Sequence, residues 1–205
     1  ISQDGPMSVA GFTMNKNDIR CFLAVSLPDP LREKLGQLIE ALSQEVAGVK
    51  WVPAKNIHLT LRFFGSVSEE IVENGLVPRI EEVASRYGAM KLRVGRLGVF
   101  PQGSRPRVLW VGCDGDIDPL RGFVGDLEKG ILGLPLHQEE KEFHAHLTLG
   151  RVKNPKLGQP LEKVVDKSSF FLEEELPISS VRLYKSQLSP KGAEYSVIRE
   201  FFLRS

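Results

Sequence analysis

Two histidines in this chain stand two residues ahead of a threonine, His58 before Thr60 and His146 before Thr148, and both pairs belong to the same four letters, His-Leu-Thr-Leu. The chain has only four histidines and three threonines. Random placement gives two such pairs roughly once in a thousand chains, so the repetition carries information. An imidazole titrates near neutrality and can hold or release a proton at working pH. Two imidazoles facing one another therefore suit general acid and general base catalysis. With a hydroxyl beside each, four side chains can clamp one phosphate between two strands. Phosphoryl transfer gains mostly from positioning and charge stabilisation, which such a clamp supplies without a metal. The two motifs are identical, so they do not say which histidine is the acid.

Each motif lies in an apolar or alternating run that predicts a β-strand, in which residues i and i+2 share a face. His58 and Thr60 then project together, as do His146 and Thr148, while Leu59, Leu61, Leu147 and Leu149 point into core and fix the register. Arg62 shares the parity of His58 and is a candidate phosphate contact. Arg151 has the wrong parity for His146 unless the strand bulges near Gly150. His144 lies two residues before His146 and raises the possibility of a His-x-His metal pair. No acidic or thiol ligand accompanies it on that face and threonine is a poor zinc ligand, so the expectation is no metal and no cofactor.

Apolar periodicity supplies the elements that must hold these motifs. A strand is expected from Ile19 to Ser26, then a helix capped by Asp29 with a stripe of Leu31, Leu35, Leu38 and Leu42. The first motif strand is expected to end at Gly65. Ser68 starts a further helix that Pro78 should break or kink. Lys91 to Phe100 and Arg107 to Gly112 predict a strand pair, followed by a helix capped by Asp118 with a stripe through Leu120, Phe123, Val124 and Leu127. The second motif strand is placed from Phe143 to Val152, a short helix from Leu161 to about Ser168, and a last hairpin from Pro177 to Leu188 and Glu194 to Leu203. The expected fold is α+β: two pseudo-symmetric lobes with mainly antiparallel sheets and outer helices, and a central cleft holding both motifs.

At 205 residues one two-lobed domain, 18–205, suffices; residues 1–17 show no periodicity and are set aside as a tail. Lys plus Arg number 27 against 26 Asp plus Glu, so net charge selects no partner class. Distribution says more: from Val83 to Cys113 there is no acid, while Arg86, Lys91, Arg93, Arg96, Arg105 and Arg107 are basic. Such a stripe suits a phosphate-rich ligand, with Arg105 and Arg107 the candidate RNA contacts, and a solvated surface is its alternative. Phe22, Trp51, Phe100 and Trp110 could stack on a base, although aromatics in strands are more often core. Two cysteines make no disulfide framework, and no apolar run is long enough to span a bilayer. A cytoplasmic monomer without membrane contact is expected.

Several stretches resemble the 2H phosphoesterases, in particular the RNA 2′,3′-cyclic phosphodiesterase branch once called 2′-5′ RNA ligases. They are Arg20-Cys21-Phe22-Leu23-Ala24-Val25, Trp51-Val52-Pro53, His58 to Gly65, Arg107 to Gly112 and Phe143 to Arg151. Ala145 stands where many members of that family carry proline. The resemblance implies hydrolysis of a cyclic phosphate at an RNA end to a 2′-phosphomonoester, with His58 as proton donor, His146 as acceptor and Arg151 on the phosphate. It also implies a capacity for reversible 2′-5′ joining. Alternatives on the same residues are a phosphodiesterase for cyclic nucleotides or 2′-5′ oligonucleotides, and a nucleotide-binding module without turnover.

Overall fold

In a computed structural model of the chain, the residues described are 18–102, 106–136, 142–152, 165, 171–190 and 192–204. The tail 1–17, Arg105, His137 and the expected helix from Leu161 lie outside them, apart from residue 165. The fold is α+β. Among the described residues nine antiparallel strands form one sheet with helices on one face. In chain order the elements are β1 (Asp18–Ser26), α1 (Asp29–Glu45), β2 (Val49–Trp51), β3 (His58–Ser68), α2 (Glu69–Ile71), α3 (Val77–Ala84), β4 (Met90–Phe100), β5 (Val108–Gly115), α4 (Ile117–Gly130), β6 (His146–Val152), β7 (Phe171–Ile178), β8 (Ser180–Ser189) and β9 (Gly192–Phe202).

The sheet order is β7-β4-β5-β6-β3-β1-β8-β9, so each half has four strands and the two motif strands meet in the middle. They meet through a single Cα partnership, Leu59 with Leu147, beyond which β2 takes over the free edge of β6. The lobes are therefore not successive halves of the sequence. One is built from β4 to β7, the other from β1 and β3 completed by β8 and β9. The run from Pro177 to Leu188, expected to be one strand, breaks at Ser179. Its first part pairs with β4 and its second with β1, on opposite sides of the sheet.

Helix α1 buries Leu31, Leu35, Leu38 and Leu42, and α4 buries Leu120, Phe123, Val124 and Leu127. Both stripes join one apolar core with Leu59, Leu61, Leu147 and Leu149, so the helices cover the face opposite the motif histidines. The caps differ from expectation: Pro28 precedes α1, and Asp29 lies in its first turn paired with Arg32. Asp116 precedes α4, and its carboxylate accepts from the Lys91 amide instead of capping. Ser68 does cap its helix, accepting from the Ile71 amide at 3.3 Å. Before Pro78 the helix widens into a π-turn over Val72–Leu76 and then continues as α3, with the proline in its first turn, where a missing N–H costs least. Strand β3 runs past Gly65 to Ser68. Strand β6 starts later than expected, at His146. Among the described residues no helix is long and apolar enough to cross a membrane. Cys21 and Cys113 are unpaired thiols, and burial pushes both up to about 12.

Candidate active site

The Leu59–Leu147 pair fixes the site, because both leucines are fully buried and the residues flanking them must face the other way. His58, Thr60, His146 and Thr148 are all partly exposed on that face. Since the strands run antiparallel, Thr148 lies on the His58 side of the pair and His146 on the Thr60 side. The residues in register with the motifs are small: Ser26 and Ala24 beside His58 and Thr60, and Gly112 beside His146, where the edge of the Trp110 indole takes up the space a side chain would need.

The two imidazoles are held alike. His58 Nδ1 lies 2.8 Å from the Asn56 carbonyl and His146 Nδ1 lies 2.7 Å from the His144 carbonyl. A carbonyl only accepts, so Nδ1 carries the proton and Nε2 is left as the base in the neutral ring. Burial lowers the pKa of His58; the Asn56 carbonyl opposes this and the neighbouring His146 adds to it. Burial likewise lowers His146, opposed by the His144 carbonyl and helped by Arg151 and His144. Both shifts favour the neutral imidazole in the substrate-free site.

Both motif strands carry the same irregularity after the threonine. On β3, Thr60 pairs with Ala24 and Arg62 with Leu23, so Leu61 is an extra residue; on β6, Thr148 pairs with Trp110 and Gly150 with Leu109, so Leu149 is extra. Each bulge exchanges the faces of the residues directly after it, and on β3 a second bulge, at Phe64, exchanges them again. On β6 this turns Gly150 inward and Arg151 onto the histidine face, near enough to depress His146. A Cβ on Gly150 would lie 2.5 Å from Val49 Cγ1, so the inward turn needs glycine there. On β3 the same step sends Arg62 into the core. It is 3 % exposed, its Nε lies 2.5 Å from Glu128 Oε1 on α4, its Nη1 donates to the Phe63 carbonyl at 2.7 Å, and its guanidinium sits 5.8 Å from the Phe64 ring. Arg62 is thus not a phosphate contact. Its parity with His58 holds only for an unbulged strand.

The basic stripe is largely neutralised. Arg86 meets Glu82 and Asp126, Lys91 meets Glu175, and Arg93 meets Asp114. Arg107 is exposed at the mouth of β5, its carbonyl accepting from the Val152 amide one residue beyond Arg151. Aromatic rings crowd both histidines. Phe22 stacks on His58 at 4.7 Å, Tyr184 stacks on Phe22 at 5.3 Å, and Tyr195 stands edge-on to His58 at 5.3 Å. Phe100 and Trp110 lie 5.3 and 6.2 Å from His146. Trp51 packs instead against the core near Gly150. Among the described residues no three His, Cys, Asp or Glu side chains gather as a metal set.

Comparison with known proteins gives the family and the fold. A family model described as LigT-like phosphoesterase matches residues 25–110. A protein of Archaeoglobus fulgidus named RNA 2′,3′-cyclic phosphodiesterase is 36 % identical over 189 residues, 89 % of this chain and 99 % of its own. One of the same name from Aeropyrum pernix is 32 % identical over 82 % of this chain and 93 % of its own. The chain belongs to the LigT-like phosphoesterase family. A solved structure from Thermus thermophilus, 28 % identical, overlays with a TM-score of 0.77 over 91 % of this chain and 98 % of its own. The fold of E. coli LigT complexed with 3′-AMP overlays at 0.76 with 22 % identity over 92 % of this chain and 99 % of its own.

Within this LigT-like site, three residues escaped the sequence reading. Arg20, stacked 4.5 Å over the Phe63 ring, shares the histidine face two positions before Phe22; strand alternation through Phe22, Ala24 and Ser26 was the signal available. Tyr184 and Tyr195 reach the site only because the β8–β9 hairpin pairs with β1 through Arg182 to Lys185 and curls back, tied down where Asn56 Nδ2 donates to the Ala193 carbonyl at 2.8 Å. No local sequence pattern reports that curl.

Proposed function

We propose that this protein is an RNA 2′,3′-cyclic phosphodiesterase that opens the cyclic phosphate to a 2′-phosphomonoester. The observation that carries the reading is the pair of imidazoles anchored alike through Nδ1, which leaves Nε2 of each for chemistry on the one face where Thr60, Thr148 and Arg151 also lie. Relatives of that name at 32–36 % identity over most of the chain support it. Thr60, Thr148 and Arg151 hold the non-bridging oxygens, and the guanidinium adds the charge that a phosphorane-like transition state needs. His146, neutral before substrate binds, takes the proton from water, and His58 protonates the leaving 3′ oxygen. The phosphate monoanion itself favours protonation of the histidine that must donate, because an opposite charge close by raises an imidazole pKa. Arg107 continues the cation path towards upstream RNA.

An oligoribonucleotide ending in a 2′,3′-cyclic phosphate should yield a 2′-phosphate end in the presence of EDTA, read by phosphorus NMR. A 3′-phosphate product, or turnover abolished by EDTA and restored by one divalent ion, contradicts the proposal.

A further inference from the structure

A cavity of about 370 Å³ opens beside His58, bounded by Phe22, Tyr184, Tyr195, Glu194 and Lys55. A second cavity, beside Arg182 and Glu200, touches neither histidine. We propose that the first cavity seats the nucleoside whose ribose carries the cyclic phosphate, and that the Glu194 carboxylate at its rim selects the base. The inference rests on the phosphodiesterase reading.

The clamp itself is close to two-fold symmetric, so it does not say on which side the nucleoside lies. In-line displacement does link the two: the attacking and leaving oxygens stand on opposite sides of phosphorus, and the leaving 3′ oxygen stays on its ribose. The nucleoside must therefore lie beside the histidine that donates the proton. On the His146 side the ground is filled by the Trp110 indole, laid so flat on β4 that a Cβ on Gly98 would come within 2.3 Å of it, with the tilted Phe100 ring 4.8 Å away. On the His58 side the ground is open. The surroundings of the clamp thus break its symmetry and put the nucleoside against His58.

The cavity wall suits a base. Tyr184 and Tyr195 supply ring surface, and π-faces hold any base without regard to sequence. Discrimination has to come from the polar rim. Glu194 makes no side-chain hydrogen bond or ion pair with another described residue, and its carboxylate can only accept. Guanine offers it two adjacent donors, N1–H and the 2-amino group. Adenine and cytosine each offer one amino group. Uracil offers a single N3–H flanked by two carbonyl oxygens that repel a carboxylate. The expected order is guanosine, then adenosine and cytidine, then uridine, with a spread of roughly five- to tenfold, the lower range for a bidentate base contact.

The test measures kcat/KM for the four nucleoside 2′,3′-cyclic monophosphates, and calorimetric Kd for the four nucleoside 2′-monophosphates, with the wild type and Glu194→Gln. The carboxamide both accepts and donates, so it should weaken guanosine, strengthen uridine and compress the series to within about twofold, while the melting point of this rim variant stays put. Equal rates on all four substrates in the wild type, or one common factor on all four in Glu194→Gln, overturns the subsite. Base-ordered binding of the 2′-monophosphates without turnover of any cyclic substrate supports the subsite and overturns the phosphodiesterase reading instead.

Discussion

Arg62→Ala should damage the fold and leave the chemistry of each folded molecule intact. The guanidinium donates to the Phe63 carbonyl, and a hydrogen bond from a charged donor contributes about 1.5–3 kcal/mol. Its pair with Glu128 adds less, about 0.5–1 kcal/mol, because that carboxylate is 41 % exposed and rehydrates when left alone. The buried stem contributes roughly 0.8 kcal/mol per methylene. Release of a desolvated cation offsets part of the sum, leaving a net loss of about 3 kcal/mol. For a chain of this size that lowers the melting point by roughly 6–12 °C. Arg62→Met restores the stem volume without the charge and should recover about a third of the loss. Urea denaturation gives the stability, and kcat/KM per folded molecule on a cyclic-phosphate substrate gives the chemistry. A hundredfold fall in kcat/KM with an unchanged urea midpoint would return Arg62 to the phosphate and refute the bulge-based placement.

His58→Ala and His146→Ala should each lower kcat by roughly two to four orders of magnitude, with the double variant little worse than the poorer single, because groups acting as a unit are not additive. Near-wild-type hydrolysis by either single variant would sink the two-histidine mechanism. In the substrate-free enzyme both rings should titrate below the ordinary histidine value by proton NMR, and inorganic phosphate should raise at least one of them. Since the unfolded chain then binds more protons than the folded one, stability should fall as pH drops through the window just below the ordinary value. Titration at or above the ordinary value in the substrate-free enzyme counts against the burial account. Gly98→Val should displace the Trp110 indole and cost about 1–3 kcal/mol by overpacking, visible in the melt and in tryptophan emission; no change in either would mean the indole does not lie on that glycine.

Much of the site was legible because strand alternation is strict over four residues. His58, Thr60, His146 and Thr148 share a face wherever Leu59 and Leu147 are buried. Alternation fails at the first bulge, which is why Arg62 was assigned to the wrong face. For Arg151 the required bulge could be named but not established, since it depends on Gly150 meeting β2, a strand about a hundred residues earlier. The stripes of α1 and α4 were plain from their leucines, whereas their first turns were not, because Asp116 is drawn to the Lys91 amide by a contact across the fold. The basic stripe looked unopposed only along the chain; Glu175 and Asp114 arrive from neighbouring strands. The break at Ser179 had only a weak local mark, Ser179-Ser180 just after Pro177, and good strand sequence on both sides hides it.

The interleaving of the two halves also sets an order of assembly. The lobe of β4 to β7 is contiguous, so every strand it needs has left the ribosome once Ile178 has emerged. The lobe that holds His58 begins first and ends last: β1 and β3 must wait for β8 to cover the exposed edge of β1, across more than a hundred intervening residues. Contacts so distant in sequence form slowly, and an unpaired strand edge is a template for wrong partners in the interval. The half of the molecule that carries His146 can therefore template the other through the Leu59–Leu147 pair, and the tyrosine wall beside His58 is added only when the final hairpin closes.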